Sequence, residues 1–370
     1  MTELTRIAAC HASPVFLSAK GTTAKAISLI QEAAKNKANL VVFPESYIPA
    51  FPIWSALRAP PENHDLFKRM ALESIYVDGD EVNAIRATAK QFGVLVSLGF
   101  SEKVRYSSAT LFNSNILIGT DGEILVHHRK LMPTFYEKLT WAPGDGHGLQ
   151  VADTPLGKIG VLICGENTNP LALYTMTAQG EQIHISSWPA IWPTRIPQRV
   201  LPTRSDEVVN GNSNGSGGGI KASGSSVARG ANYDNVAANR TRAAAHCFEA
   251  KCFGVLCAGV LGTDAIETAT AGSSAPEIVS KALQQSSRGA TMFLDTTGTL
   301  LPGFTIDPET SAQEQKDLLQ EEEGILYVDV NLEDCIEGKQ YHDLAGGYQR
   351  LDVFELKVNR RRREPVSFNE

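Results

Sequence analysis

Short aliphatic runs alternate along this chain with longer stretches whose apolar residues recur every three or four positions. The runs RIAACH (6–11), NLVVF (39–43), VLVSLG (94–99), KIGVLI (158–163), 182–187, FGVLCA (253–258) and 324–330 predict buried strands. Helical spacing predicts helices over 22–37, 65–76, 81–92 and 235–251. Ala24, Ile27, Ile30 and Ala34 would share the buried face of the first, and Ala237, Thr241, Ala244 and Phe248 that of the last. Thr120-Asp121-Gly122 predicts a hairpin turn between strands 111–118 and 123–127, and a second hairpin is expected over 290–302. Strands alternating with helices imply a mostly parallel sheet with helices on its faces. The same rhythm resumes in the second half, which suits two sheets packed as a sandwich. The segment 208–230, almost entirely Gly, Ser and Asn with little to bury, reads as a flexible surface loop. The Ala/Ser/Thr-rich stretch 263–287 reads as low complexity, and 341–354 as an extended tail.

Three strand ends finish in polar or reactive residues, Glu45, Cys164 and Trp188. In open α/β sheets, sites gather at the C-terminal ends of strands. Cys164 follows KIGVLI directly, and Gly165 permits a tight bend. Thr168 or Asn169 can cap the helix that Pro170 opens. A thiol just before a helix is expected to gain thiolate character from the positive end of the helix dipole. Glu45, in FPESYIPAFP, is a carboxylate after an apolar strand and a proline, suited to general-base work once desolvated. Lys130, in HHRKLMP, offers a fixed positive charge for a developing anion. Glu137, in TFYEKLTW, is a second carboxylate that could orient the lysine. Each has a bland alternative: a core thiol, a surface carboxylate, a salt bridge at a strand end.

Composition narrows the classes. The 370 residues are 42% hydrophobic and 20% charged, with net charge −7, so no overall field draws the chain to nucleic acid or anionic membranes. The exception is KVNRRRR (357–363), read as a solvated basic tail over 357–370. Six cysteines occur without a CxxC pair or a Cys/His zinc spacing. No apolar stretch approaches a membrane span and no leader pattern opens the chain, so a reducing cytoplasmic setting is expected.

Glu45 in FPE, Lys130 in HRKL and Cys164 in ICGEN together resemble the Glu-Lys-Cys triad of the nitrilase superfamily of carbon-nitrogen hydrolases. WAPGDG, CGENTNPLA and HDLAGGYQRLDVF are similar to the nitrilase branch, and the resemblance runs from Arg6 to about Phe354. It implies a four-layer α-β-β-α sandwich in one domain over 1–356, carrying the Gly/Ser-rich insertion, with no metal and no organic cofactor. It also implies that a small nitrile is the partner, with Cys164 as nucleophile, Glu45 as base, Lys130 stabilising the tetrahedral species and Glu137 as the fourth member. By the same resemblance Phe51, Thr134, Trp141, Gly165, Thr168 and Trp188 would line the pocket. Homodimers or larger spirals would form, with the 208–230 loop near a subunit contact or disordered. The chain departs from the branch at Gly165 (often Trp), Phe135 (often His), Gly347 (His) and Leu351 (Pro). Gly165 is expected to leave room beside the thiol for aryl or arylaliphatic nitriles. An amidase, carbamoylase or cyanide hydratase on the same triad, or a non-catalytic scaffold, are the alternatives.

Overall fold

The computed structural model describes residues 4–194 and 234–366, so the Gly/Ser-rich stretch 208–230 lies outside the described residues. The strands are β1 (Thr5–His11), β2 (Leu40–Val42), β3 (Leu95–Val104), β4 (Ser107–Ile118), β5 (Ile124–Arg129), β6 (Ala152–Thr154), β7 (Gly157–Ile163) and β8 (Ile183–Trp188). They continue as β9 (Phe253–Ala258), β10 (Thr291–Leu294), β11 (Leu300–Leu301), β12 (Gly303–Ile306), β13 (Gln313–Lys316), β14 (Leu318–Leu319) and β15 (Gly324–Val330). One sheet has the order β13-β12-β15-β1-β2-β3-β4-β5; the other runs β11-β10-β9-β8-β7-β6, with β14 on β10. Parallel pairing is confined to β1-β2-β3 and β7-β8-β9, so each sheet is mixed rather than mostly parallel. The departures are the hairpins and β15, which returns antiparallel to β1.

Period-two alternation sorts the side chains into layers. Ile7, Ala9, Leu40, Val42 and Leu95 of the first sheet meet Ile159, Val161, Ile183, Ile185 and Val255 of the second between the sheets. The alternate residues Ala8, Cys10, Val41 and Val96 face outward onto helices α1 (Ala19–Lys35) and α3 (Asp80–Phe92), with α2 (His64–Glu73) between them in the chain. On the far side, α4 (Pro170–Thr177) and α5 (Asn235–Ala250) cover the second sheet. The result is the α-β-β-α sandwich. Each fully buried Val, Leu or Ile contributes about 1.5–3 kcal/mol of transfer free energy.

Two helix faces differ from expectation. In α1, capped where Ser18 Oγ accepts from the Gly21 N–H, the buried residues are Ala19, Thr22, Thr23, Ala26, Ile30 and Ala33, so the stripe is rotated and Ala24 faces water. In α5 the buried residues are Asn235, Asn239, Ala243, His246, Cys247 and Ala250. Ala237, Thr241 and Phe248 point outward, because α5 turns His246 inward to a buried carboxylate. The stretch 263–287 is no low-complexity loop. It forms α6 (Thr263–Thr270) and α7 (Pro276–Gln285), closed over an apolar cluster by Ala265, Ala269, Val279 and Leu283. The basic run is partly laid down: Arg362 donates to the His127 carbonyl at 2.9 Å, and the Arg363 N–H donates to Asp145 at 2.9 Å.

Candidate active site

Three loops at strand ends carry the candidate residues. The chain leaves β2 through Phe43 and Pro44 and delivers Glu45, 3% exposed. It passes hard against β3: a Cβ on Gly99 would lie 2.2 Å from the Pro44 carbonyl oxygen and 2.8 Å from the Ser46 nitrogen. β5 ends at Arg129 and delivers Lys130, whose carbonyl accepts from the Gly144 N–H of the WAPGDG turn. β7 ends at Ile163 and delivers Cys164. The tight turn Phe135–Leu139, shortly after Lys130, carries Glu137, which accepts the Thr134 N–H at 2.8 Å. Ser46, Phe135 and Cys164 all have left-handed backbone, with φ of 46°, 50° and 50°. Each such non-glycine conformation costs of order 1–3 kcal/mol, and such strain gathers at functional sites.

The four side chains meet. Lys130 Nζ donates to Glu45 Oε1 and to both oxygens of Glu137, each at 2.8 Å. Asn113 Nδ2, from β4, donates to the same Glu45 oxygen at 2.7 Å. Glu45 Oε2 is buried with no hydrogen-bond partner. The Cys164 sulfur and one oxygen from each carboxylate all lie within 4.8 Å of one another. Burial pushes the Glu45 carboxyl up to about 7, against the opposing pull of Lys130. Burial also works to discharge Lys130, but Cys164, Glu137 and Glu45 outweigh it and hold its pKa well above the ordinary value.

The expected thiolate bias is corrected. Burial, with Glu45 beside it, pushes the Cys164 thiol well up, while Lys130 only partly opposes. The helix dipole does not act directly, because a single tight turn, Cys164–Thr168, separates the thiol from α4. In this resting state the sulfur carries its proton and needs a base. Glu166 is likewise a structural clamp: it accepts from the Leu131 and Ile163 N–H groups and from His128 Nε2.

The pocket residues divide. Phe51 and Trp141 join an aromatic cluster, their ring centroids 5.4 Å apart, with Tyr136 and Trp192 stacked 4.4 Å apart beside Phe51. Trp188 is packed into the same buried cluster as Cys164. Thr168 is exposed and donates to the Gly165 carbonyl, so it does not face that cluster. The room expected at Gly165 is also corrected, since a Cβ there would lie 2.7 Å from Thr134 Oγ1. Thr134 occupies the space that a side chain at 165 would need.

The carbon-nitrogen hydrolase family matches residues 6–205. A nitrilase from Penicillium rubens is 31% identical over 367 residues, covering 99% of this chain and 96% of that enzyme. The chain belongs to the carbon-nitrogen hydrolase family, in its nitrilase branch. An arylacetonitrilase from Hypocrea virens is 42% identical over 190 residues, 51% of this chain; the match spans little more than half, 56%, of that relative's length. The crystal structure of a carbon-nitrogen hydrolase from Helicobacter pylori G27 shares the fold at 20% identity, with a TM-score of 0.59 over 91% of this chain and 93% of that one.

Two acidic clusters of this carbon-nitrogen hydrolase have ligand-like spacing among the described residues: Glu45, Glu137 and Cys164, and Glu181, His246 and Cys252. In the first, the Lys130 ammonium already bridges the carboxylates. In the second, both Glu181 oxygens are taken by imidazoles, His184 and His246. Sequence reading missed Asn113, His128, Asn167, His184 and His246. The available signal was polar residues inside otherwise apolar elements, as in LFNSN (111–115) and IHISSW (183–188), since buried polar groups require partners.

Proposed function

We propose that this protein is a nitrilase that hydrolyses an organic nitrile to the carboxylic acid and ammonia. The observation that carries this reading is the Cys164 sulfur beside Glu45 and Glu137, with Lys130 bridging the two carboxylates. Glu45, through its unpartnered Oε2, takes the thiol proton as the sulfur bonds to the nitrile carbon. The proton passes to the nitrile nitrogen and gives a thioimidate. Glu45 then draws a proton from water, which adds to the thioimidate carbon. Lys130 balances the charge of the tetrahedral species. Ammonia leaves and a thioester remains; a second water, activated the same way, releases the acid and restores the thiol. Expulsion of the thiol instead of ammonia gives the amide. Glu137 holds Lys130 in place through two hydrogen bonds.

Aryl and arylaliphatic nitriles are the proposed substrate class. The aromatic cluster of Phe51, Tyr136, Trp141 and Trp192 supports this, as does the name of the Hypocrea virens relative. Incubation with paired aryl, arylaliphatic and short aliphatic nitriles, measuring ammonia, acid and amide, tests it. Ammonia and acid from the aromatic members are expected. Turnover of the short aliphatic ones alone would overturn the substrate class, and turnover of amides alone would overturn the reaction.

A further inference from the structure

Behind the nucleophile turn lies a buried polar chain that the reaction as described does not use. Asn167 Nδ2 donates to two backbone carbonyls, that of Cys164 at 3.0 Å and that of Leu162 at 3.3 Å. Both are acceptors, so the amide orientation is fixed: a flipped Asn167 would set oxygen against oxygen. Its Oδ1 therefore accepts, from Ser186 Oγ at 2.9 Å and from His184 Nε2 at 2.8 Å. His184 must carry hydrogen on Nε2. Its other nitrogen, Nδ1, lies 2.9 Å from Glu181 Oε2, a contact that also needs a hydrogen. His246 Nε2 donates to Glu181 Oε1, which fixes the His246 tautomer because its Nδ1 has no hydrogen-bond partner. Two neutral imidazoles supply two hydrogens, but these contacts require three. The geometry therefore asks for one extra proton, between His184 and Glu181, whereas burial pushes the His184 imidazolium down and Glu181 only partly opposes it. All five residues, Asn167, Ser186, His184, Glu181 and His246, are at most 2% exposed.

We propose that Asn167, His184 and Glu181 are positioning residues: the proton they hold fixes the Asn167 amide, which in turn holds Cys164 in its left-handed conformation. The reasoning is local. Cys164 sits at φ 50°, a conformation that persists only where the surroundings over-determine it. Asn167 bonds to the carbonyls on both sides of Ile163, bracketing the last strand residue and the nucleophile. Its own acceptor oxygen is held by β8, the neighbouring strand. Without the shared proton, the His184 Nδ1 lone pair would face the Glu181 oxygen, or the Nε2 lone pair would face Asn167. Either repulsion would loosen the turn by which the sulfur is aimed. The kinetic consequence rests on the nitrilase reading, whereas the proton count does not.

Two measurements on the full-length protein test this. In the first, ¹⁵N-histidine spectra at neutral pH are recorded without substrate, and the His184 signals are assigned by their loss in His184→Gln. Hydrogen on both ring nitrogens of His184 is expected; a neutral tautomer would overturn the proposal, as would a stoichiometric bound metal ion among Glu181, His246 and Cys252. In the second, Glu181→Gln is compared with the parent by steady-state kinetics and by the rate of Cys164 alkylation with iodoacetamide. Misplacement of a reacting group by about 1 Å costs about 10²-fold. A kcat loss of about that size is expected, with KM changed less than about twofold and with slower alkylation. Parental kcat and alkylation rate would overturn the positioning role. If no nitrile is turned over at all, the nitrilase reading fails while the spectra and alkylation rates still judge the array.

Discussion

Cys164 and Glu45 are matched in an unusual sense: both are buried, and burial raises the pKa of each. A thiol held protonated is useful only beside a carboxylate willing to take its proton, and Glu45 is such a group at about 7. The pH profile of kcat/KM should therefore fall on the acid side through about 7, as Glu45 takes up the proton it must lack to act as base. A flat profile from pH 5 to 8 would contradict this. Stability has the opposite slope. The folded Glu45 binds its proton more tightly than the unfolded one, so its contribution is full below the unfolded value and is lost as pH rises through about 7. Denaturant titrations should therefore place Glu45→Gln and the parent close together near pH 5 and apart near pH 8, with the variant the more stable there. Lys130 reads the same electrostatics from the other partner. Lys130→Met leaves Glu45 and Glu137 close together and uncompensated, and breaking a buried pair this way costs about 3–5 kcal/mol. Its Tm should fall sharply at pH 8 and partly recover at pH 5, as the carboxylates protonate.

At the scale of elements, Glu45, Lys130 and Cys164 each hang from the end of a strand whose own pattern was plain. NLVVF, the strand before HRKL, and KIGVLI could be read as strands because their apolar residues are contiguous, and all three lead to the site. The site was legible because a carboxylate, a lysine and a cysteine each follow such a run. Helix faces were less so. In α5 the apolar residues Ala237, Ala244 and Phe248 suggested a buried stripe, yet the helix buries Asn239 and His246 instead. A hydrophobicity pattern cannot register a buried histidine whose partner, Glu181, is 65 residues away. Gly165 misled for a related reason: its free space depended on Thr134, which comes from another loop. Gly99 carries a prediction at this scale. Gly99→Val would drive a side chain into the backbone of the Glu45 loop. Overpacking costs about 1–3 kcal/mol, and here it falls on the loop that aims the base. Both a lower Tm and a lower kcat are expected; parental kcat would mean that the loop yields without moving Glu45.

The whole molecule works as a clamp of two sheets. Glu45, Lys130 and Asn113 come from the first sheet, and Cys164 from the second. These side chains therefore face one another only while the inter-sheet core is intact. Ile159, fully buried in that core, is on the nucleophile's own strand. Ile159→Ala should cost about 2–5 kcal/mol. Loss of activity on heating should track loss of tertiary signal in one transition, rather than precede it. All of this serves the proposed covalent bond from the Cys164 sulfur to the substrate carbon. Intact-mass spectrometry during turnover of an aryl nitrile would detect that bond. An added mass equal to the thioimidate or thioester is expected, mapped to Cys164 by proteolysis and absent from Cys164→Ala. Turnover with no adduct, or with undiminished activity in Cys164→Ala, would contradict it.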